Sequence, residues 1–453
     1  MIRREVYWSL DFLRGKPVGR HLQELKDTFR DPDATLALTQ QRVCDLIDHA
    51  CGTTSYYHQF SGAKELGEFP VLQKRTIRER YNEFFSDVYK RASLVPVKTS
   101  GSYGAPLTFY LTREKKSRQH AEIIYFSGWA GYRVGDKHAY VRVLSARNKL
   151  TLFVQNKILM DSAVLDEEWM ERQRQDLLHK RIKVFFGFPS AMGTLAEYCR
   201  AQGDGPSSFH LEAIIAIAET LSEHTRATLR QVFGCPVLSR YSAEELGVLA
   251  HECHSFPECN LASRYHLNTA SYVFELLSLN SDTPASPGEL GRIVVTDLFS
   301  HAMPLIRYDT GDLAILGDTC SCGLPGPTLQ RIEGRVIEEV TSADGKRLSP
   351  LTISNAMRDL EDVVQFQFVQ QSAKSYELRL CTLAFHQEGL VRRRLLGILG
   401  ADAELKLSYV QQIPPLPSGK RPYIVNEWRR RQVEELDMRE GLGSDKTRGV
   451  LGT

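Results

Sequence analysis

The chain has 453 residues, enough for two or three domains of ordinary size. With 42% hydrophobic and 25% charged residues it has the composition of a folded globular chain; that excludes disorder, and a core of this size needs no disulfide staples. Its 57 basic and 55 acidic residues leave a net charge of +2, no electrostatic footprint for nucleic acid or an anionic membrane.

In chain order, the N-terminal MIRREVYWSLDFLRG has neither a long apolar run nor a small-residue cleavage site, so no secretory signal is read. The first ninety or so residues read as helical and accessory. In ATLALTQQRVCDLIDHA, Leu36, Leu38, Val43, Leu46 and Ile47 fall near helical spacing. Tyr56, Tyr57 and Phe60 read as packing. From about residue 95, strands and helices alternate. HAYVRVLSA is a strand, a charged helix follows Asp166, and RIKVFFGF is a strand. A helix runs from Pro189 through Arg200, LEAIIAIA is a buried strand, a helix lies near Ser222–Phe233, and CPVLSRY is another strand. This alternation predicts an α/β fold with a largely parallel sheet. After about 245 the chain turns β-rich, with YVFELL, GRIVVTDL, LIRYD and LAIL as short strands. After Gly334-Arg335, VVQFQFVQQ, YELRLCTL and ELKLSYVQQI predict strands, and EGLVRRRLLGILG a helix. The expected organisation is a large multi-subdomain domain over 1–335 and a small α+β domain over 338–453, ending in a polar, frayed GLGSDKTRGVLGT. No apolar run reaches the roughly 18 residues of a membrane span, so no membrane insertion is expected. Nine cysteines, an odd count, favour a reducing, cytoplasmic setting with thiols free or metal-bound.

Four segments can carry chemistry. In Thr99-Ser100-Gly101-Ser102-Tyr103-Gly104, glycines and hydroxyls follow a strand, a pattern that lets backbone N–H groups approach a polyanion. Alone, the segment reads as an ordinary Gly/Ser turn, and no GK[ST] follows to make it a Walker loop. Tyr241-Ser242-Ala243-Glu244-Glu245 ends a strand, where open α/β sheets bind ligands. A tyrosine there can stack on a base and a carboxylate can hold magnesium. Arg307-Tyr308-Asp309-Thr310-Gly311-Asp312 offers Asp312 as acceptor for two ribose hydroxyls, with Gly334-Arg335 beyond it. Pro417-Ser418-Gly419-Lys420 is a turn presenting a lysine. Separately, Cys320-Ser321-Cys322 is a tight CxC, and His251, Cys253, His254, Cys259 and His266 lie upstream. A thiolate pair with one more cysteine and a histidine makes a four-coordinate zinc site; free thiols in a reducing cytosol are the simpler alternative.

Together these segments resemble the adenylate-forming ligases, in that superfamily's order and approximate spacing, and within it the phenylacetate–CoA ligase-like branch with its CapK-type members. TSGSYGAPL is similar to the branch's TSG[ST]TGxPL, YSAEELG to YGxxExG, and ELGRIVVTDLFSHAMPLIRYDTGDLAIL to GELVVTxLxxxAxPxIRYxTGD. CSCGLPGPTLQRIEGR resembles CxCGRxxPxxxxIxGR, and SGKRPYIV the terminal lysine motif. The resemblance covers roughly residues 5–430. It implies that ATP and a carboxylate give an acyl-adenylate and pyrophosphate, after which a nucleophile such as CoA displaces AMP. By it, Thr99 to Gly104 cradle the triphosphate, Ala218-Glu219-Thr220 line the adenine site, Tyr241 stacks on the base and Glu245 helps hold Mg2+. Asp312 and Arg335 bind the ribose, and Lys420 bridges carboxylate and α-phosphate on a small domain that rotates between half-reactions. The acid pocket is expected near Phe186, Phe188, Pro189, Ser190 and Tyr241, with an apolar or aromatic acid preferred. The resemblance also selects Cys253, His266, Cys320 and Cys322 as ligands of a structural zinc, with Cys259 as the spare.

Three positions depart from the pattern. Tyr103 replaces a small hydroxyl residue, Ser242 a glycine, and Ile337 a hinge aspartate; the last leaves the second half-reaction open. Two rivals to a CoA ligase therefore stand: an amide-forming ligase that passes the acyl group to an amine, and a non-catalytic scaffold built on the fold. Asp312, Arg335 and Lys420 argue against the scaffold.

Overall fold

The computed structural model describes residues 2–99, 107–142, 152–153, 155–162, 166–219, 221, 223–253, 255, 264–279, 281–333, 340–348, 352–353, 356–357, 360, 363–382, 387–411, 413, 424–429 and 431. Of the residues singled out above, Ser100 to Gly104, Thr220, His254, Cys259, Arg335, Ile337, Lys420, the side chain of Ser190 and the C-terminal GLGSDKTRGVLGT lie outside them. Two compact units are formed, one by the described residues up to Glu333 and one by those from Val340 onward.

The first unit opens with three helices, α1 (Ile2–Leu13), α2 (Pro17–Arg30) and α3 (Pro32–Thr53). Asp11 near the end of α1 accepts from the N–H groups of Val18 and Gly19, satisfying the orphan donors that begin α2. Asp31 caps α3 by accepting from Ala34 N, with Pro32 at its first position. Only the C-terminal half of α3 is packed: Leu46 and Ile47 are buried, whereas Leu36 and Leu38 are exposed, contrary to the helical face read from the sequence. At 1.5 Å per residue this 22-residue helix overruns the core it lies on. Tyr56 and Tyr57 are buried against Phe84, as packing predicts.

A sheet of eleven strands forms the body of this unit. One half is parallel: β3 (His138–Arg142), β4 (Lys157–Asp161), β5 (Val184–Gly187), β6 (Ala213–Ile217) and β7 (Val237–Ala243), in the order 4-3-5-6-7. Its crossovers are α6 (Glu167–His179), α7 (Pro189–Ala201) and α8 (Glu223–Phe233). Every residue of β5 and β6 is buried, which is why these strands read as unbroken apolar runs. The helix α5 (Arg113–Gly128) precedes β3, after a hairpin of β1 (Val95–Lys98) and β2 (Thr108–Leu111).

At β7 the sheet switches hand of pairing. β8 (Gly247–Glu252) returns antiparallel to β7 and is followed by β9 (Tyr265–Leu267). Then come β13 (Thr328–Glu333), β12 (Tyr308–Leu316), β11 (Leu290–Asp297) and β10 (Tyr272–Leu277) as an antiparallel run. The sequence suggested two strands, LIRYD and LAIL, but β12 is one strand of nine residues. Its register against β11 shifts between Arg292 and Val294, and Gly311 takes φ +78° there. This bulge holds Thr310-Gly311-Asp312, and the turn residues that looked like a strand break are the bulge itself. The fold is thus α/β, with a parallel half and a β-rich half.

The second unit is a four-stranded sheet in the order β18 (Glu404–Tyr409), β17 (Ser375–Thr382), β16 (Val363–Gln370), β19 (Ile424–Asn426). The helix α9 (Glu388–Leu399) packs Val391, Leu395 and Leu399 with Phe366, Phe368, Leu378 and Leu380 in its core. No helix among the described residues is long and apolar enough to cross a membrane.

Candidate active site

The site is built where β7 ends and the sheet changes from parallel to antiparallel. Tyr241, near the end of β7, donates its hydroxyl to Asp312 Oδ2 at 2.8 Å and lies 3.2 Å from Thr310 Oγ1. Asp312 is buried, and its backbone N–H bonds Thr310 Oγ1 across the bulge. The bulge thereby re-aims Asp312 toward β7, bringing together the two residues expected at base and ribose.

Glu245 sits in the β7–β8 turn and is buried. Its Oε1 accepts the Tyr308 hydroxyl at 2.9 Å and pairs with Lys74 Nζ at 3.2 Å. Lys74 begins α4 (Lys74–Glu79), and the strand-like stretch before it is clamped on β12: Leu72 N bonds Arg307 O, and Asp309 N bonds Leu72 O. The turn carrying Glu245 is gripped from behind. Gln119 Nε2 on α5 donates to Glu244 O and Leu246 O, Tyr272 OH donates to Leu246 O at 2.6 Å, and Val248 N donates to Glu122 Oε2. Burial holds the Glu122 carboxyl above its usual range.

The other predicted residues are placed as follows. Thr99 is buried and closes the base of its loop: Leu107 N donates to its Oγ1, and its own N–H to Leu107 O. Ala218 follows β6 with φ +65°, a left-handed conformation rare for a non-glycine residue, and Glu219 comes next. Such strain at the end of a central strand accompanies sites that need a particular backbone path. Phe186 and Phe188 are buried, and Pro189 opens α7. The Phe186 ring packs T-shaped against Tyr132 and His138, so it is anchored in the core.

Sequence reasoning passed over two residues. Lys74 carries no motif of its own and reaches Glu245 only through the clamp on β12. Tyr308 was within a quoted motif, but its role depends on strand register, which no linear pattern displays.

A second cluster unites Cys253, His266, Cys320 and Cys322, whose ligand atoms all lie within 4.8 Å of one another. Cys253 follows β8, His266 is on β9, and the CxC follows β12. Cys320 Sγ is 3.7 Å from Cys253 Sγ, and Cys322 Sγ is 3.4 Å from His266 Nε2. Tetrahedral zinc with bonds of about 2.3 Å to sulfur and 2.0–2.1 Å to nitrogen has edges of about 3.8 and 3.5 Å. The donor set and spacing therefore fit that ion.

The family model of the CapK C-terminal domain matches residues 340–427. The chain is 22% identical over 440 residues to Protein CapK of Staphylococcus aureus, covering 92% of this chain and 94% of that protein. It is 25% identical over 346 residues to phenylacetate-coenzyme A ligase of Thermus thermophilus, covering 72% and 76%. The solved structure of 2-hydroxyisobutyryl-CoA ligase with 2-HIB-AMP and CoA, in the thioesterification state, matches its fold with a TM-score of 0.61 at 19% identity, covering 90% of this chain and 93% of that one. The chain thus carries a CapK C-terminal domain over residues 340–427, is similar at nearly full length to a CapK protein and over about three quarters of its length to a phenylacetate-coenzyme A ligase, and has the fold of an adenylate-forming CoA ligase.

Proposed function

We propose that the chain is an AMP-forming ligase that joins ATP and a small carboxylic acid into an acyl-adenylate, releasing pyrophosphate, and then passes the acyl group to CoA. The observation that carries this reading is the convergence of Tyr241 and Glu245, from one segment, with Asp312, from another, at the switch point of the sheet. Tyr241 offers its ring face to adenine while its hydroxyl orients Asp312, which accepts the ribose hydroxyls. The acid needs no general base, because a carboxylate is already ionised at neutral pH. The chain's work is to position two anions and to offset their repulsion. Glu245 offers a hard oxygen donor in a place that already holds the Lys74 ammonium, so a cation fits there. Mg2+ bound at Glu245 would supply charge neutralisation on the phosphates. A cation held by Glu245 would share that carboxylate with Lys74, and Ser100 to Gly104, Thr220, Arg335 and Lys420 keep the roles the family pattern gives them. Cys253, His266, Cys320 and Cys322 would hold a structural Zn2+, because four protein donors leave no open position for substrate. A cytoplasmic setting is assigned, since that cluster needs reduced thiols.

The test is ATP–pyrophosphate exchange against a library of carboxylates. Exchange with at least one acid is expected, and silence with all of them would favour a scaffold. CoA and candidate amines offered separately to the loaded enzyme then distinguish thioester from amide formation.

A further inference from the structure

Arg240 immediately precedes Tyr241 on β7 and is 6% exposed. Register places it opposite Ile217, with Phe186 opposite Ile215 and Tyr140 opposite Phe186. Arg240, Phe186 and Tyr140 therefore share one face of the parallel sheet. The guanidinium stands 5.8 Å from the centre of the Phe186 ring. Its hydrogen bonding is poor: Nη1 reaches Ser127 Oγ of α5 at 3.4 Å, and Nε has no partner.

Other buried cations of this fold are paired. Arg118 meets Glu24 at 2.8 Å, Arg226 meets Glu252 at 2.7 Å, and Lys115 meets Asp297 at 2.6 Å. No carboxylate among the described residues lies within ion-pair distance of Arg240; the titratable groups that it feels are the Tyr140 hydroxyl and the His251 ring, and neither supplies a negative charge at neutral pH. An arginine cannot shed its proton to escape burial, so an uncompensated one is costly. Further cations gather on the same face: Lys157 Nζ is 4.3 Å and Arg142 Cζ 5.9 Å from the Tyr140 ring centre. A buried fork of donors with no counter-charge among the described residues, beside a wall of the expected acid pocket, is complementary to an anion that arrives with the ligand.

We propose that Arg240 is a specificity-determining residue that receives a second anionic group on the acid, so that the substrate class is a dicarboxylic acid rather than an apolar or aromatic monoacid. This rests on the adenylation reading. One carboxylate is activated; the other stays ionised on the guanidinium and takes no part in bond making.

The experiment compares matched acids, pentanoate with glutarate and phenylacetate with 4-carboxyphenylacetate, in ATP–pyrophosphate exchange and in thermal unfolding. The native chain is expected to favour the dianionic member of a pair by about tenfold to a hundredfold in kcat/KM, the range of a charge-assisted hydrogen bond. Arg240→Met should abolish or invert that preference. It should also hold or raise the ligand-free Tm, since the only hydrogen bond given up is the long one to Ser127 Oγ. The diacid should raise the Tm of the native chain and not of the variant. Should Arg240→Met not fold, Arg240→Lys keeps the charge without the fork, and a preference that shrinks but survives supports the proposal. Preference for monoacids in the native chain, or selectivity untouched by Arg240→Met or Arg240→Lys, would overturn it, leaving Arg240 a structural residue held by Phe186 and Tyr140. Silence with every acid would defeat the adenylation reading instead. The diacid-dependent Tm shift then still decides Arg240: a shift lost in the variant supports the assignment, and no shift overturns it.

Discussion

Asp312 rides the bulge of β12 with its Oδ2 already accepting the Tyr241 hydroxyl, so its carboxylate is oriented before any nucleotide arrives. If Asp312 accepts the ribose hydroxyls as proposed, Asp312→Ala removes charge-assisted hydrogen bonds worth ~1.5–3 kcal/mol. At about 1.4 kcal/mol per tenfold, the ATP KM should rise roughly tenfold to a hundredfold. Tyr241→Phe keeps the ring and removes only the orienting hydroxyl, so its rise should be smaller, about fivefold for a bond of about 1 kcal/mol. Steady-state exchange kinetics with varied ATP measure both, and an unchanged KM in a folded Asp312→Ala protein would reduce Asp312 to a turn residue. The motif YDTGD displays the carboxylate to a reader of the sequence. The Tyr241 partner is not displayed, because it is 71 residues away and is brought near by a register shift.

Between elements, the β7–β8 turn depends on contacts the chain makes far from it. Gly247 has φ +131°, and a Cβ there would press into Glu122 Oε2 and lie 2.7 Å from the Tyr272 hydroxyl. Gly247→Ala should therefore lower the Tm and raise the Mg2+ needed for half-maximal exchange, because the turn that carries Glu245 must move. Gly288→Ala is the control, with φ +78° and nothing within 4 Å. If both variants behave alike in exchange, backbone strain of about 1–3 kcal/mol explains the effect and the grip on Glu245 does not. The Cys/His cluster ties the end of β8 and β9 to the loop after β12. Protein purified without added metal should carry one zinc per chain by elemental analysis, and Cys320→Ser should lower Tm more than it lowers the exchange rate. Metal-free protein with an unchanged Tm would refute the site. Most elements were legible because their periodicity is local: α7, β6 and α9 follow apolar runs or helical spacing, with Pro189 marking the start of α7. The exposure of Leu36 and the fusion of LIRYD with LAIL were not legible, since both depend on what the segment packs against.

On the scale of the whole molecule, buried histidines link stability to pH. Burial pushes both His21 and His138 down to about 4. Unfolded histidine titrates near 6.5. Between these values the unfolded chain binds protons that the folded chain refuses, so their contribution is complete above about pH 6.5 and is lost as pH falls toward 4. Tm measured across that window should fall on acidification, and the slope should lessen in His138→Gln; equal slopes would remove His138 from the account. The other global property is division of labour between half-reactions. Lys420, in PLPSGKRPYIV, belongs to the C-terminal segment that continues the second unit, whereas Tyr241, Glu245 and Asp312 belong to the first. A solvated loop lysine is the simplest account of it. If instead it draws the attacking carboxylate and the α-phosphate together, its charge counts most when those two anions are forced into contact. Removing one such preorganised group costs about 10²–10³ in rate, or about 2.7–4 kcal/mol. Lys420→Ala should then cripple adenylate formation and spare acyl transfer from preformed acyl-adenylate. Equal losses in both half-reactions would mean that the lysine acts through folding of the second unit. No loss in either would detach the terminal motif from the chemistry and leave adenylation to the first unit alone.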